Sequence, residues 1–219
     1  MKRTTKKLLS IVLALSMTLS LGVAASAAEV DANNSVNPSL TQQEKYTQYE
    51  KIIAEISQKY GIEASIEPIS WFLENGFPDT VKFEQQVKNN CEALINAKLT
   101  DQPVTKSRIT PYGYQTYTWS DTQYKSNFEI SVNYSFAIVT AQNPDTGKYF
   151  IDQFSAAKPT LSGNGKGIIK DYSTRTVDSG STYVTTSNLT LTKDGVNYSR
   201  TSAAYVYCSS NGNITIQGY

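Results

Sequence analysis

Phe128-Glu129-Ile130-Ser131-Val132-Asn133-Tyr134-Ser135-Phe136-Ala137-Ile138 is the stretch on which the fold turns. Large apolar residues occupy every second position, with Glu, Ser, Asn and Ala between them, which is the period of a half-buried antiparallel strand. Downstream, Asn143-Pro144-Asp145-Thr146-Gly147, Asp178-Ser179-Gly180, Asp194-Gly195 and Asn211-Gly212 supply residues that tolerate positive φ or preset a turn. The segments around and between them give about seven strands, near residues 112–119, 128–140, 148–155, 166–176, 182–192, 196–208 and 213–219. Short strands at this spacing predict a meander folded into a β-sandwich or an open barrel.

Upstream the period changes. Thr41-Gln42-Gln43-Glu44 reads as a capping box, and Tyr46, Tyr49, Ile53, Ile56 and Tyr60 then fall at steps of three and four until Gly61. A short extended piece near 62–69 and a single turn at Trp71–Glu74, closed by Gly76, lead to a second helix start at Pro78-Asp79-Thr80. Phe83, Val87, Cys91, Leu94 and Ile95 line one face of that helix. The expectation is an α+β chain: a helical hairpin over residues 41–99, followed by an antiparallel β domain over 100–219.

The first residues carry Lys2, Arg3, Lys6 and Lys7 without an acid, and Leu8 to Val23 is dominated by Leu, Ile, Val, Ala, Ser and Met. This is the charged n-region and apolar h-region of a secretory signal peptide. Ala25-Ser26-Ala27 offers the small residues that a signal peptidase reads, with cleavage after Ala27 or Ala28. The rival is an uncleaved anchor, since the apolar run is near the lower length for a bilayer span. Residues 28–40 are polar and aperiodic and read as a disordered spacer. Removing the leader's four basic residues leaves sixteen against nineteen acids, so nothing points to nucleic acid. The expected location is outside the cell, secreted or loosely wall-associated, with no membrane contact after cleavage.

The segment Tyr49-Glu50-Lys51-Ile52-Ile53-Ala54-Glu55-Ile56-Ser57-Gln58-Lys59-Tyr60-Gly61-Ile62, between such a leader and a Ser/Thr/Tyr-rich β half, resembles uncharacterised secreted proteins of Gram-positive bacteria. The resemblance is one of layout. It implies export from a Gram-positive cell and assigns no activity or functional residue.

The chain has no histidine. That removes Ser-His-Asp and Cys-His nucleophiles, His-ligated zinc and the usual general base near neutral pH. No metal or cofactor is expected, and no catalytic residue is assigned. Carboxylate hydrolysis needs only two acids at a set separation. Asp121, Glu129, Asp145, Asp152, Asp171, Asp178 and Asp194 are available, and they read as turn residues or outward strand positions. Gly163-Asn164-Gly165-Lys166-Gly167 reads as a flexible corner rather than a phosphate loop.

Twelve of the fifteen tyrosines lie from Tyr112 onward. Tyr112, Tyr114, Tyr117, Trp119 and Tyr124 form a candidate binding surface, and Tyr198, Tyr205 and Tyr207 crowd a later strand. Such rings either stack on sugars or protein partners, or fill the core as cross-strand pairs. Cys91 and Cys208 are both expected to face the core. They form either a disulfide, stabilising by roughly 4 to 5 kcal/mol in the chain-entropy model, or two buried thiols. The best functional expectation is a non-catalytic exported protein that binds cell wall or another extracellular polysaccharide. A secreted toxin or bacteriocin-like effector comes next, and a carboxylate hydrolase third.

Overall fold

The computed structural model describes residues 39–97, 105–109, 114–178 and 181–218, which fall in one compact unit. The expected leader, nearly all of the spacer, and Tyr112 lie outside the described residues. Among the described residues no helix is long and apolar enough to cross a membrane.

Helix α1 (Leu40–Tyr60) starts at Ser39, two residues ahead of the expected cap. The Ser39 hydroxyl accepts the Gln42 N–H at 3.3 Å, and Gln42 Oε1 accepts the Ser39 N–H at 2.7 Å. Ser with Gln three residues on satisfies the capping-box rule as well as Thr with Glu does. Tyr49, Ile53 and Ile56 are buried, and Gly61 ends the helix in the left-handed region at φ 63°. Strand β1 (Ala64–Ile66) and helix α2 (Ile69–Asn75) lead to α3 (Thr80–Ile95), capped by the Asp79 carboxylate. Phe83, Val87, Cys91 and Leu94 are buried, whereas Ile95, expected on the same stripe, is exposed.

The helical region precedes the β half as expected, but its two long helices lie parallel rather than as the antiparallel hairpin read from the sequence. Thr80 at the start of α3 donates to Gln48 in the middle of α1, Tyr49 stacks on Phe83 at 4.1 Å, and Tyr60 donates to Glu92 near the ends of both helices. The return journey is made by β1 and α2, a connection long enough to bring the chain back to the middle of α1.

Among the described residues the β half carries nine strands, two more than the seven or so expected. One sheet holds β2 (Thr105–Ile109), β3 (Gln115–Asp121), β4 (Ile130–Gln142), β5 (Tyr149–Ala156) and β6 (Thr160–Gly163), ordered β2-β3-β4 with β5 and β6 sharing the far edge of β4. The other holds β7 (Lys166–Thr176), β8 (Thr182–Lys193), β9 (Val196–Cys208) and β10 (Ile214–Gly218), ordered β7-β8-β9, with β1 and β10 sharing the far edge of β9. All pairings are antiparallel, and the sheets face each other as a sandwich. Phe154 of β5 stacks on Tyr183 of β8 at 4.3 Å, and the Tyr134 hydroxyl of β4 donates to Ser202 of β9 at 2.9 Å. The alternating stretch is β4, with Ile130, Val132, Tyr134, Phe136 and Ile138 all buried. Phe128 instead ends the short helix α4 (Lys125–Phe128).

The chain crosses from one sheet to the other at the Gly163–Gly167 corner. A Cβ on Gly165 would lie 1.7 Å from the Phe128 carbonyl oxygen, and one on Gly163, at φ 117°, would lie 1.9 Å from that of Glu129. The glycines are therefore there for close backbone approach rather than flexibility.

The inward row of β9 is unusually polar. Tyr198, Arg200 and Ser202 follow Val196 and precede Ala204 and Val206. Asn90 of α3 donates to the Tyr198 hydroxyl at 3.2 Å, and Arg200 Nη2 donates to the Leu94 carbonyl at 3.0 Å. Ser202 donates to the buried Asp121 carboxylate, which also accepts the Gln123 side-chain amide at 2.8 Å and backbone N–H at 3.0 Å. Asp121, expected to face outward, is thus buried at the end of β3, held there by these donors. Tyr124 donates to the Thr201 carbonyl at 3.1 Å.

At the tip of the β8–β9 hairpin, Asp194 (φ 52°) and Gly195 (φ 77°) form the two-residue turn expected of Asp-Gly. The tip packs under α2: a Cβ on Gly195 would lie 2.7 Å from Phe72 and 2.8 Å from Trp71. Gly61→Ala, with open space around the added methyl, should cost about 1 kcal/mol through the left-handed backbone alone. Gly195→Ala adds a clash with packed rings and should cost roughly 2 to 3 kcal/mol or more. Urea unfolding of the two variants gives that order, and equal losses would contradict the packed tip.

Burial pushes the Cys91 thiol from 9.0 up to about 11 and the Tyr124 hydroxyl from 10.0 up to about 12, in each case against the opposing pull of Arg200. The fold therefore retains protons that the unfolded chain releases, and stability falls as pH rises. The unfolding midpoint should be unaffected by these groups below pH 9.0 and decline progressively toward pH 12. A flat profile across that window would show that the two groups ionise freely in the folded protein.

Candidate functional site

The tyrosine cluster ahead of β4 does not form the expected surface. Tyr117, Trp119 and Tyr124 are buried at 7%, 3% and 1% exposure. Tyr117 and Trp119 point to the sandwich interior from alternate positions of β3, and a Cβ on Gly218 of β10 would lie 2.5 Å from the Trp119 ring. Tyr124 lies under α4 against β9. Tyr114 is half-buried and donates to Gln153. Core filling, the other reading of these rings, describes the three buried ones.

The outer face of the β7–β8–β9 sheet gathers different residues. Cross-strand register places Asn197, Ser199, Thr201, Tyr205 and Tyr207 of β9 on that face, opposite Thr192, Thr190, Asn188, Val184 and Thr182 of β8. At one end the Tyr205 and Tyr207 rings stack along the strand, 6.3 Å between centroids and 17° between planes. At the other end hydrogen bonds run across the strands as two rungs. Thr201 donates to Asn188 (3.1 Å), which donates to Asp171 of β7 (2.6 Å). Thr192 donates to Asn197 (2.6 Å), which donates to Glu67 beside β1 (2.8 Å).

These rungs hold amides and hydroxyls on an exposed to half-buried face without spending all their donors and acceptors. Two adjoining grooves follow the face, one of about 580 Å³ lined by Glu63, Lys170, Asp171, Asn188, Ser199 and Thr201. The second, about 620 Å³, is lined by Ser65, Glu67, Lys166, Lys170, Thr190 and Asn197 among others. From Asn197 to Tyr207 the face runs roughly 33 Å at strand rise. Tyr205 and Tyr207 were among the aromatics singled out in the sequence. The amide rungs were legible only as the polar parity of β8 and β9, where Asn188, Thr190 and Thr192 alternate with Leu189 and Leu191.

Glu63 and Asp171 share the first groove, but both are exposed and their strands stand three spacings apart, roughly 14 Å backbone to backbone. Among the described residues no cluster of three or more His, Cys, Asp or Glu could hold a metal ion.

Cys91 and Cys208 are free thiols, so the disulfide alternative gives way to that of two separate cysteines. Cys91 is sealed in the core between α3 and β9. Cys208 is half-buried at the far end of β9, ten positions beyond Tyr198, the β9 residue that Asn90 of α3 reaches.

No protein-family model matches the chain, and no curated protein matches it. It is similar to a hypothetical protein, lmo2686 from Listeria monocytogenes EGD-e, over 56% of this chain and 99% of that one, at 12% identity and a TM-score of 0.30. A likeness at that level carries no argument about fold or function.

Denatured, unreduced protein should titrate two thiols. In the native protein at mild alkaline pH, Cys208 should alkylate well ahead of Cys91, whose thiolate is suppressed by burial. Equal rates would mean that the α3–β9 core opens readily.

Proposed function

We propose that this is a non-catalytic exported protein that binds an extracellular polysaccharide, of the cell wall or another matrix, along the outer face of the β7–β8–β9 sheet. The observation that carries the reading is the combination on one face of a stacked tyrosine pair with hydrogen-bonded amide rungs. A sugar ring presents an apolar C–H face and a rim of hydroxyls. The tyrosines suit the first, and Asn188, Asn197, Thr201 and their neighbours suit the second. Because the rungs are already ordered by cross-strand bonds, binding loses little side-chain entropy there. A face roughly 33 Å long suits a polymer spanning several repeats better than a small metabolite.

Export rests on the leader-like N-terminus, and the preference for binding over hydrolysis on the exposed, widely spaced carboxylates of the groove. Sedimentation of the protein with peptidoglycan, cellulose and chitin tests the reading. Retention on at least one is expected, reduced about ten-fold or more when Tyr205→Ala and Tyr207→Ala remove the stacking platform or when Asn188→Ala cuts a rung. Lack of retention on every polymer, or retention indifferent to all three substitutions, would overturn it.

A further inference from the structure

Away from the sheet face, a second pocket of about 350 Å³ lies where α2, the start of α3 and the tip of the β8–β9 hairpin converge. Trp71 and Phe77 form its apolar wall, and Asn75, Lys82, Gln86 and Asp194 supply polar groups. From this geometry we infer that the pocket is a separate binding site for a single sugar ring.

The wall is fixed before any ligand arrives. Trp71 packs edge-on against Phe72 at 4.9 Å and is backed by Gly195, where a side chain would collide with it. Phe72 is wholly buried and contacts Tyr46, Tyr49, Phe77 and Phe83, so the aromatic wall belongs to the rigid α1–α3 core. Asn75 donates to the Trp71 carbonyl at 2.8 Å, which leaves its amide oxygen as an acceptor.

The polar side is equally constrained. Lys82 and Gln86 are one helical turn apart and therefore on one face of α3, and Asn90 continues that row. Asn90 is 6% exposed, and its amide stands 3.5 Å from the Asp194 carboxylate, steadying it from below. Asp194 is held by a two-residue turn with both φ values positive. The ion pair found among the described residues is Lys88–Glu84, so neither Lys82 nor Asp194 is neutralised by a side-chain partner there.

An ammonium donor, a carboxylate acceptor and two amides around an aromatic wall match a pyranose, whose hydroxyls each donate and accept while one ring face is apolar. The volume, near the low end for small-molecule sites, suits one ring rather than a chain. This site does not depend on the polymer-binding face, and each can fail without the other.

The chain has two tryptophans, and Trp119 is buried between the sheets, so ligand-induced fluorescence change reports on Trp71. Glucose, galactose, mannose and N-acetylglucosamine are titrated against the full chain. At least one should give a saturable change, weakened about ten-fold or more in Asp194→Asn or in Lys82→Ala, the loss expected for a charge-assisted hydrogen bond. Asn is the substitute because it tolerates the left-handed conformation of position 194, and Lys82 is exposed, so both variants should fold. The Tyr205→Ala, Tyr207→Ala double variant should keep the wild-type affinity. No saturable response to any of the four sugars, unchanged affinity in both pocket variants, or loss in the double tyrosine variant would each overturn the assignment.

Discussion

The requirement that buried polar groups find partners, applied to the inward row of β9, organises this molecule. That strand carries Tyr198, Arg200 and Ser202 into the interior, and each meets a partner on α3 or on the opposing sheet. Asn90 and the Leu94 carbonyl of α3 take the first two, and Asp121 of β3 with Tyr134 of β4 takes the third. An apolar row could have slid against its neighbours with modest loss. This one cannot, because a shift would strand a phenol, a guanidinium and a carboxylate without partners in a low-dielectric interior. The polar row therefore sets where the helices and the opposing sheet sit on β9.

The same strand presents its other parity to solvent. Alternation along β9 means that residues between the anchored ones, Asn197, Ser199, Thr201, Tyr205 and Tyr207, are displayed on a surface whose position is already determined. The pocket beside α2 is a second consequence. The Asp-Gly tip of the β8–β9 hairpin lies under Trp71 and Phe72, and Asp194 meets the polar row of α3 there.

Much of the local structure was readable from pattern. Strands β7 and β9 have the limits that turn residues alone suggest, and both long helices follow their apolar stripes. Differences occur where two local signals satisfy one rule, as with Ser39–Gln42 against Thr41–Glu44, or where an element is too short to show a period, as with β6. The aromatic surface misled because exposure of a tyrosine depends on what covers its strand, and nothing near Tyr117 or Trp119 in the sequence reveals that β10 and Gly218 lie across them.

What the sequence determined by itself is the α+β order, the turn positions and the exclusion of histidine chemistry, since composition, period and φ preference are local properties. Only the tertiary structure decided which face of each strand is covered, that α1 and α3 run parallel, and that Asp121 is buried while Tyr205 and Tyr207 share an outer sheet face. These depend on contacts between residues far apart in the chain. Asn90 and Tyr198 are separated by 108 positions, and no local pattern carries that pairing.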